Sequence, residues 1–233
     1  PRAWRNFRIS PLEVDPASIG MDPVQLEALD AYILRALEDS VSPGAALAVG
    51  RGGQLVRLRG YGRLDWDPAS EGVTPFSLYD LASLTKVVGT TTAVMLLVED
   101  GRLGLDDPVT RHLPEFARGD PRKAGVTVRD VLLHRSGLPA FRPFYSELSG
   151  PSSFREAIFD LPLEGPPGEA TVYSDLGFMT LGWVVGAVSG QPLDSFLERR
   201  AFGPLGMEHT GFLPDAADRA RIAPTEVDRA WRG

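Results

Sequence analysis

The sequence predicts an α/β chain of the α+β kind, in which part of an antiparallel sheet is followed by a helical region. Three observations carry this. Two short strand patterns, Gly44 to Val49 and Gln54 to Tyr61, flank a glycine-rich turn. Residues 84–100 hold the best helical periodicity in the chain. From Asp106 to Arg200 short helical patterns alternate with Pro and Gly, and strand signal is scarce.

The elements follow in order. Asp22-Pro23 reads as an N-cap with proline at the first helical position. Val24, Leu26, Leu29, Ile33, Leu34 and Leu37 then mark an amphipathic helix to about Asp39, broken by Ser42-Pro43-Gly44. The hairpin turn is Gly50-Arg51-Gly52-Gly53. A strand follows it rather than a helix, so it is not a dinucleotide-binding loop. Leu84, Val87, Val88, Thr91, Met95 and Val98 predict one apolar helix face, with Gly101 as the stop. Further helices are expected over 128–134, 152–159, 176–188 and 193–200. Gly182 and Gly186, four apart in the apolar segment 176–188, would let another helix approach closely in a buried core.

Composition narrows the function. The 233 residues carry a net charge of −7 with no basic run, which argues against nucleic acid or an anionic membrane as partner. No cysteine is present, so disulfides and thiolate metal sites are excluded. Residues 1–20 hold no continuous apolar stretch of the signal-peptide kind, and the segment 176–188 is too short to span a bilayer.

Among 24 basic side chains only Lys86 and Lys123 are lysine. Arginine stays protonated in proteins, whereas lysine gives up its proton once desolvated or set beside another cation. Lys86 follows Ser83 by three residues, one helical turn, so both side chains share a face. A hydroxyl becomes nucleophilic beside a base, and Ser83 would stand at a helix start, where free N–H groups favour developing negative charge. A second constellation, Pro167 to Asp175, leads into the glycine-rich helix. There Tyr173 could direct its hydroxyl into a cleft while Ser174 or Asp175 caps the helix.

Taken in order, these segments resemble the serine β-lactamase and penicillin-binding-protein superfamily, in its class C-like and esterase branches. The resemblance runs through Pro43-Gly44-Ala45, Ser83-Leu84-Thr85-Lys86, Glu99 to Leu103 and Leu105-Asp106-Asp107-Pro108. It continues through Val131 to Leu138, Tyr173-Ser174-Asp175 and Pro204-Leu205-Gly206-Met207. It implies a β-lactamase/transpeptidase-like fold, with a mixed antiparallel sheet domain beside an all-helical one and the catalytic cleft between them. The implied layout is 1–105 as the first part of the α/β domain, 106–200 as the helical domain, and 201–233 as a return segment.

The resemblance further implies Ser83 as the acylated nucleophile, Lys86 as its proton partner and Tyr173 as the proton shuttle, with no cofactor and no metal. The Ser83 N–H would supply one oxyanion donor. A small ester, amide or β-lactam would be the substrate, with D-Ala-D-Ala carboxypeptidase or β-lactamase activity as the alternative to esterase, and the cell envelope the compartment. Asp175 stands where the family has asparagine. A carboxylate accepts but does not donate, so Asp175 is expected to bear on substrate binding or to hold Lys86 cationic. No late Lys/His-x-Gly strand motif is found after His209-Thr210-Gly211, and 214–233 show little strand pattern. The C-terminal strands are therefore expected to be lost, disordered or carried on a separate polypeptide.

Two other readings compete with this one. A Ser-His-Asp triad lacks the Gly-x-Ser-x-Gly turn, and His112, His134 and His209 each have plainer structural explanations: a helix end for His134, Pro/Gly-flanked loops for the others. A non-catalytic ligand sensor on the same fold is the reading from another class.

Overall fold

In the computed structural model, residues 13–225 are described, and they divide into two compact units. One comprises the chain up to Asp80 with the segment from Pro214; the other runs from Leu81 to Leu213. This division groups the helix bearing Ser83 and Lys86 with the helical unit, so it does not coincide with breaks at 105 and 200.

In the first unit, α1 (Pro23–Glu38) starts where the Asp22 carboxylate accepts from the Val24 N–H at 2.8 Å. Strands β1 (Gly44–Arg51) and β2 (Gln54–Gly62) pair antiparallel, Gly44 opposite Gly62 and Arg51 opposite Gln54, with an irregularity between Val49 and Gly50. Gly52 and Gly53 turn the hairpin at φ 58° and 79°, left-handed values that glycine adopts without strain. Leu26, Leu55, Val56, Leu64 and Val73 are buried. The Tyr61 hydroxyl donates to Asp30; burial and that carboxylate push its pKa up to about 12. The sheet of the described residues has these two strands. In addition, Leu78 forms a parallel bridge with Ile222, a pairing the sequence pattern of the tail did not suggest. Residues 226–233 of that tail, and 1–12 at the other end, lie outside the described residues.

The second unit is helical. A 3-10 turn (Ala82–Leu84) and a π-helical turn (Lys86–Thr91) lead into α2 (Thr92–Glu99). The chain continues through α3 (Val109–His112), α4 (Val128–Leu132), α5 (Pro151–Asp160), α6 (Asp175–Ser189) and α7 (Leu193–Leu197). A second π turn (Glu198–Phe202) follows α7. The capping box Thr127/Asp130 starts α4, and Gly190 in the left-handed region ends α6. The core gathers Val94 and Leu97 from α2, Val131 from α4, and Ile158 and Phe159 from α5. Leu181, Val184 and Val185 from α6 and Phe196 from the α7 region complete it. Gly182 lies near the Leu193 side chain, where a Cβ would meet it at 3.7 Å, so α6 and α7 are in close contact there.

The apolar face expected over 84–98 is corrected. Leu84, Val87 and Met95 are 61%, 64% and 65% exposed, whereas Ala93, Val94 and Leu97 are buried. Nearly every position of this segment is apolar or small, so periodicity alone cannot choose the inward face. The expected single helix is also three pieces, since the π turn adds a residue between Lys86 and the regular α2. The stretch 82–99 is long and apolar enough to pass a membrane-span test by length and composition, which the buried core helix of a folded unit also does.

Candidate active site

Ser83, Lys86, Tyr173 and Asp175 all belong to the unit 81–213. Ser83 sits in the 3-10 turn. The preceding Ala82 is held at φ 43°, a left-handed conformation that costs a residue with a Cβ about 1–2 kcal/mol. Strain at the residue before a candidate nucleophile fits a backbone arranged to present that side chain.

Lys86 Nζ donates to Ser83 Oγ at 3.1 Å. It also lies 2.6 Å from Asp175 Oδ1 and 4.7 Å from the centroid of the Tyr173 ring. Asp175 Oδ1 is buried, and the Lys86 ammonium is the charge paired with it. Burial pushes the Lys86 ammonium toward losing its proton, but Asp175 and Tyr173 outweigh it and hold the pKa above the ordinary lysine value. At rest Lys86 is therefore a cation. The Tyr173 hydroxyl is hydrogen-bonded to Ser83 and to Lys86, and these two, in that order, pull its pKa below the ordinary tyrosine value. Tyr173 is thus the group in this site moved toward its deprotonated, proton-accepting form.

The start of α6 fixes the second half of the site. The Ser174 side chain is the N-cap, accepting from the Gly177 N–H at 3.1 Å and donating to the Pro139 carbonyl at 2.7 Å. The Asp175 N–H donates to the Ala140 carbonyl at 2.9 Å. Ser174 therefore does the capping, which leaves the Asp175 side chain for Lys86.

Sequence reasoning missed how close His134 lies. It follows α4 at φ 57°, and its ring packs against Tyr173 at 4.4 Å and Phe178 at 4.9 Å between centroids. The signal available was its place in the segment 131–138 that carries the resemblance. His112 needs correction: it ends α3 rather than lying in a loop, and its Nε2 is 3.1 Å from Asp107 Oδ2. Asp107 also accepts from the Gly104 N–H and from Arg111, so this cluster ties a turn together.

Residues 29–232 match the Beta-lactamase family model, and the chain belongs to that family. A putative D-alanyl-D-alanine carboxypeptidase of Escherichia coli (strain K12) is 34% identical over 237 residues, covering 93% of this chain and 54% of that protein. The chain thus spans about half the length of the curated relatives it matches. Among solved structures, EstCE1, a hydrolase with promiscuous acyltransferase activity, superposes with a TM-score of 0.73 at 26% identity over 85% of this chain and 55% of that one. A class C β-lactamase superposes with a TM-score of 0.71 at 25% identity, covering 90% and 55%. The fold is β-lactamase/transpeptidase-like, and the chain is related to penicillin-binding proteins and β-lactamases of class C.

Proposed function

We propose that this chain carries the nucleophilic half of a serine acyl hydrolase that cleaves carboxylic esters or small amides through an acyl-enzyme. The observation that carries the reading is the 3.1 Å hydrogen bond between Lys86 and Ser83, with the Tyr173 hydroxyl engaged by both. Ser83 Oγ attacks the carbonyl carbon while Tyr173 takes its proton. The ammonium of Lys86 favours the Tyr173 phenolate that accepts this proton. Tyr173 then returns the proton to the leaving alcohol or amine as its bond to the carbonyl carbon breaks. A water repeats the sequence on the acyl-Ser83 ester and releases the acid. The Ser83 N–H is assigned as one oxyanion donor. The residues assigned to this chemistry need no metal or cofactor.

Asp175 is assigned to substrate selection. Bound to Lys86, its carboxylate offers no donor to a substrate amide, which favours esters over β-lactams and D-Ala peptides. The name carried by the curated relatives supports a second substrate reading, D-alanyl-D-alanine carboxypeptidase. The family supports an extracytoplasmic place of action.

Intact-mass measurement after exposure to nitrophenyl acetate, nitrocefin and a D-Ala-D-Ala peptide tests the proposal. An acyl adduct that maps to Ser83, disappears in Ser83→Ala and turns over supports it. A stable adduct without turnover favours a non-catalytic sensor, and no adduct from any of the three rejects acyl transfer.

A further inference from the structure

We propose that His134, in its neutral form, is the positioning residue that holds Tyr173 over Ser83, so that protonating His134 disengages the site. The inference rests on the acyl-transfer reading above. Its geometry is local and complete. His134 grips three consecutive residues: its carbonyl accepts from the Val172 N–H at 2.8 Å, its ring packs on Tyr173 at 4.4 Å, and its Nδ1 accepts from the Ser174 N–H at 3.0 Å.

The last contact fixes the protonation state. An N–H points at Nδ1, so Nδ1 carries a lone pair and the proton of the neutral ring is on Nε2. An imidazolium would aim a second N–H at Ser174 and lose that bond. The charged groups facing the ring are Lys86 and Asp175, with Tyr173 stacked on it. Burial first, and then the Lys86 charge, pull the His134 pKa below the ordinary value despite Asp175. The neutral ring is therefore the form present near pH 7, and the switch lies on the acid side.

The left-handed backbone at this position also bears on the choice of residue. At φ 57° His134 occupies a conformation that glycine and asparagine adopt more readily. Glycine would fit the turn without strain but would supply neither the acceptor nor the ring.

The test combines kinetics and spectroscopy on the protein. Acylation by a nitrophenyl ester is followed from pH 4.5 to 8.5 in wild type, His134→Gly and His134→Asn. His134→Gly keeps the backbone conformation and removes the grip; about a tenfold or greater loss of acylation rate is expected at pH 7.5, the scale of one unpaired donor. His134→Asn restores an acceptor and is expected to recover much of that loss. Wild type should show an acid limb with a midpoint below about 6.5, separate from the alkaline-favoured limb set by Tyr173, and both variants should lack that acid limb. In parallel, 15N chemical shifts should place the neutral proton on Nε2 at pH 7.5 and titrate with the same midpoint. Persistence of the acid limb in both variants, wild-type rates in His134→Gly, or a proton on Nδ1 at pH 7.5 would each overturn the inference. If wild type never acylates, the functional reading falls, and the nitrogen shifts still decide the state of His134.

Discussion

The Lys86 ammonium lies 2.6 Å from the Asp175 carboxylate, nearer than its 3.1 Å contact with the Ser83 hydroxyl. A carboxylate at that distance favours the charged form of Lys86. In Asp175→Asn the negative partner is gone, so the Lys86 pKa should fall, and the amide gains donors that a substrate carbonyl can accept. Acylation by nitrocefin or a D-Ala-D-Ala peptide should rise relative to a simple ester by about tenfold, the worth of one good hydrogen bond to a polar substrate group. Rates measured side by side on the three substrates check this. Equal changes for all three would reduce Asp175 to an orienting partner of Lys86.

Ala82 offers a test of strain beside the nucleophile. Its φ of 43° is unfavourable for alanine and free for glycine. Ala82→Gly should leave denaturant stability unchanged or raise it by up to ~1 kcal/mol, because relief of strain is offset by the freer unfolded chain. Acylation should slow, since the turn no longer presents Ser83 in one orientation. A variant both less stable and equally active would show that the strain has no part in positioning Ser83.

The other lysine makes a prediction about stability. Lys123 is fully buried, its ammonium donating to the carbonyls of Phe159 at 2.8 Å and Ile158 at 3.2 Å over the Phe116 ring. Burial pushes its pKa down to about 8. The folded state therefore releases this proton at a lower pH than the unfolded chain, whose lysine titrates near 10.5. Between those values the unfolded state binds more protons, so stability should rise with pH across about 8 to 10, by at most ~3 kcal/mol. Urea midpoints at pH 7 and 10 check the sign, and Lys123→Met should remove the rise. A wild-type midpoint that does not move would show that Lys123 keeps its charge in the fold.

Particular residues show what the sequence could and could not convey. The hairpin, α1 and α6 were legible because each carries local punctuation: Asp22-Pro23 at one helix start, Gly52-Gly53 in the turn, Ser174 at another N-cap. Ser83 and Lys86 were legible as neighbours because three residues make a turn, and Tyr173 because it precedes a helix start. The inward face of α2 was not legible, since Leu84, Val87 and Met95 are as apolar as Val94 and Leu97. Nor were the left-handed conformations of Ala82 and His134, the first of which goes against residue preference. The neighbours of Lys86 depend on the approach of α6, a relation between segments some 90 residues apart.

Lys86→Arg examines the centre of the proposed chemistry. Lys86 Nζ is a compact charge that meets Ser83, Asp175 and Tyr173 at one point. A guanidinium keeps the charge but spreads it over a planar fork, and it cannot take up or release a proton near neutral pH. The Asp175 contact can survive the exchange, because arginine pairs well with carboxylates. The Ser83 hydrogen bond and the support of a Tyr173 phenolate need the single nitrogen where it stands. The variant should fold with near-native thermal stability, and its acylation should fall at least ~100-fold, within the range for losing one placed electrostatic stabiliser. The Tyr173 pKa should rise toward its ordinary value, which moves the alkaline-favoured limb of the acylation profile to higher pH. Acylation at the wild-type rate with an unmoved limb would mean that any cation suffices at this position, and the assignment of Lys86 as the point charge that supports the Tyr173 phenolate would have to be abandoned.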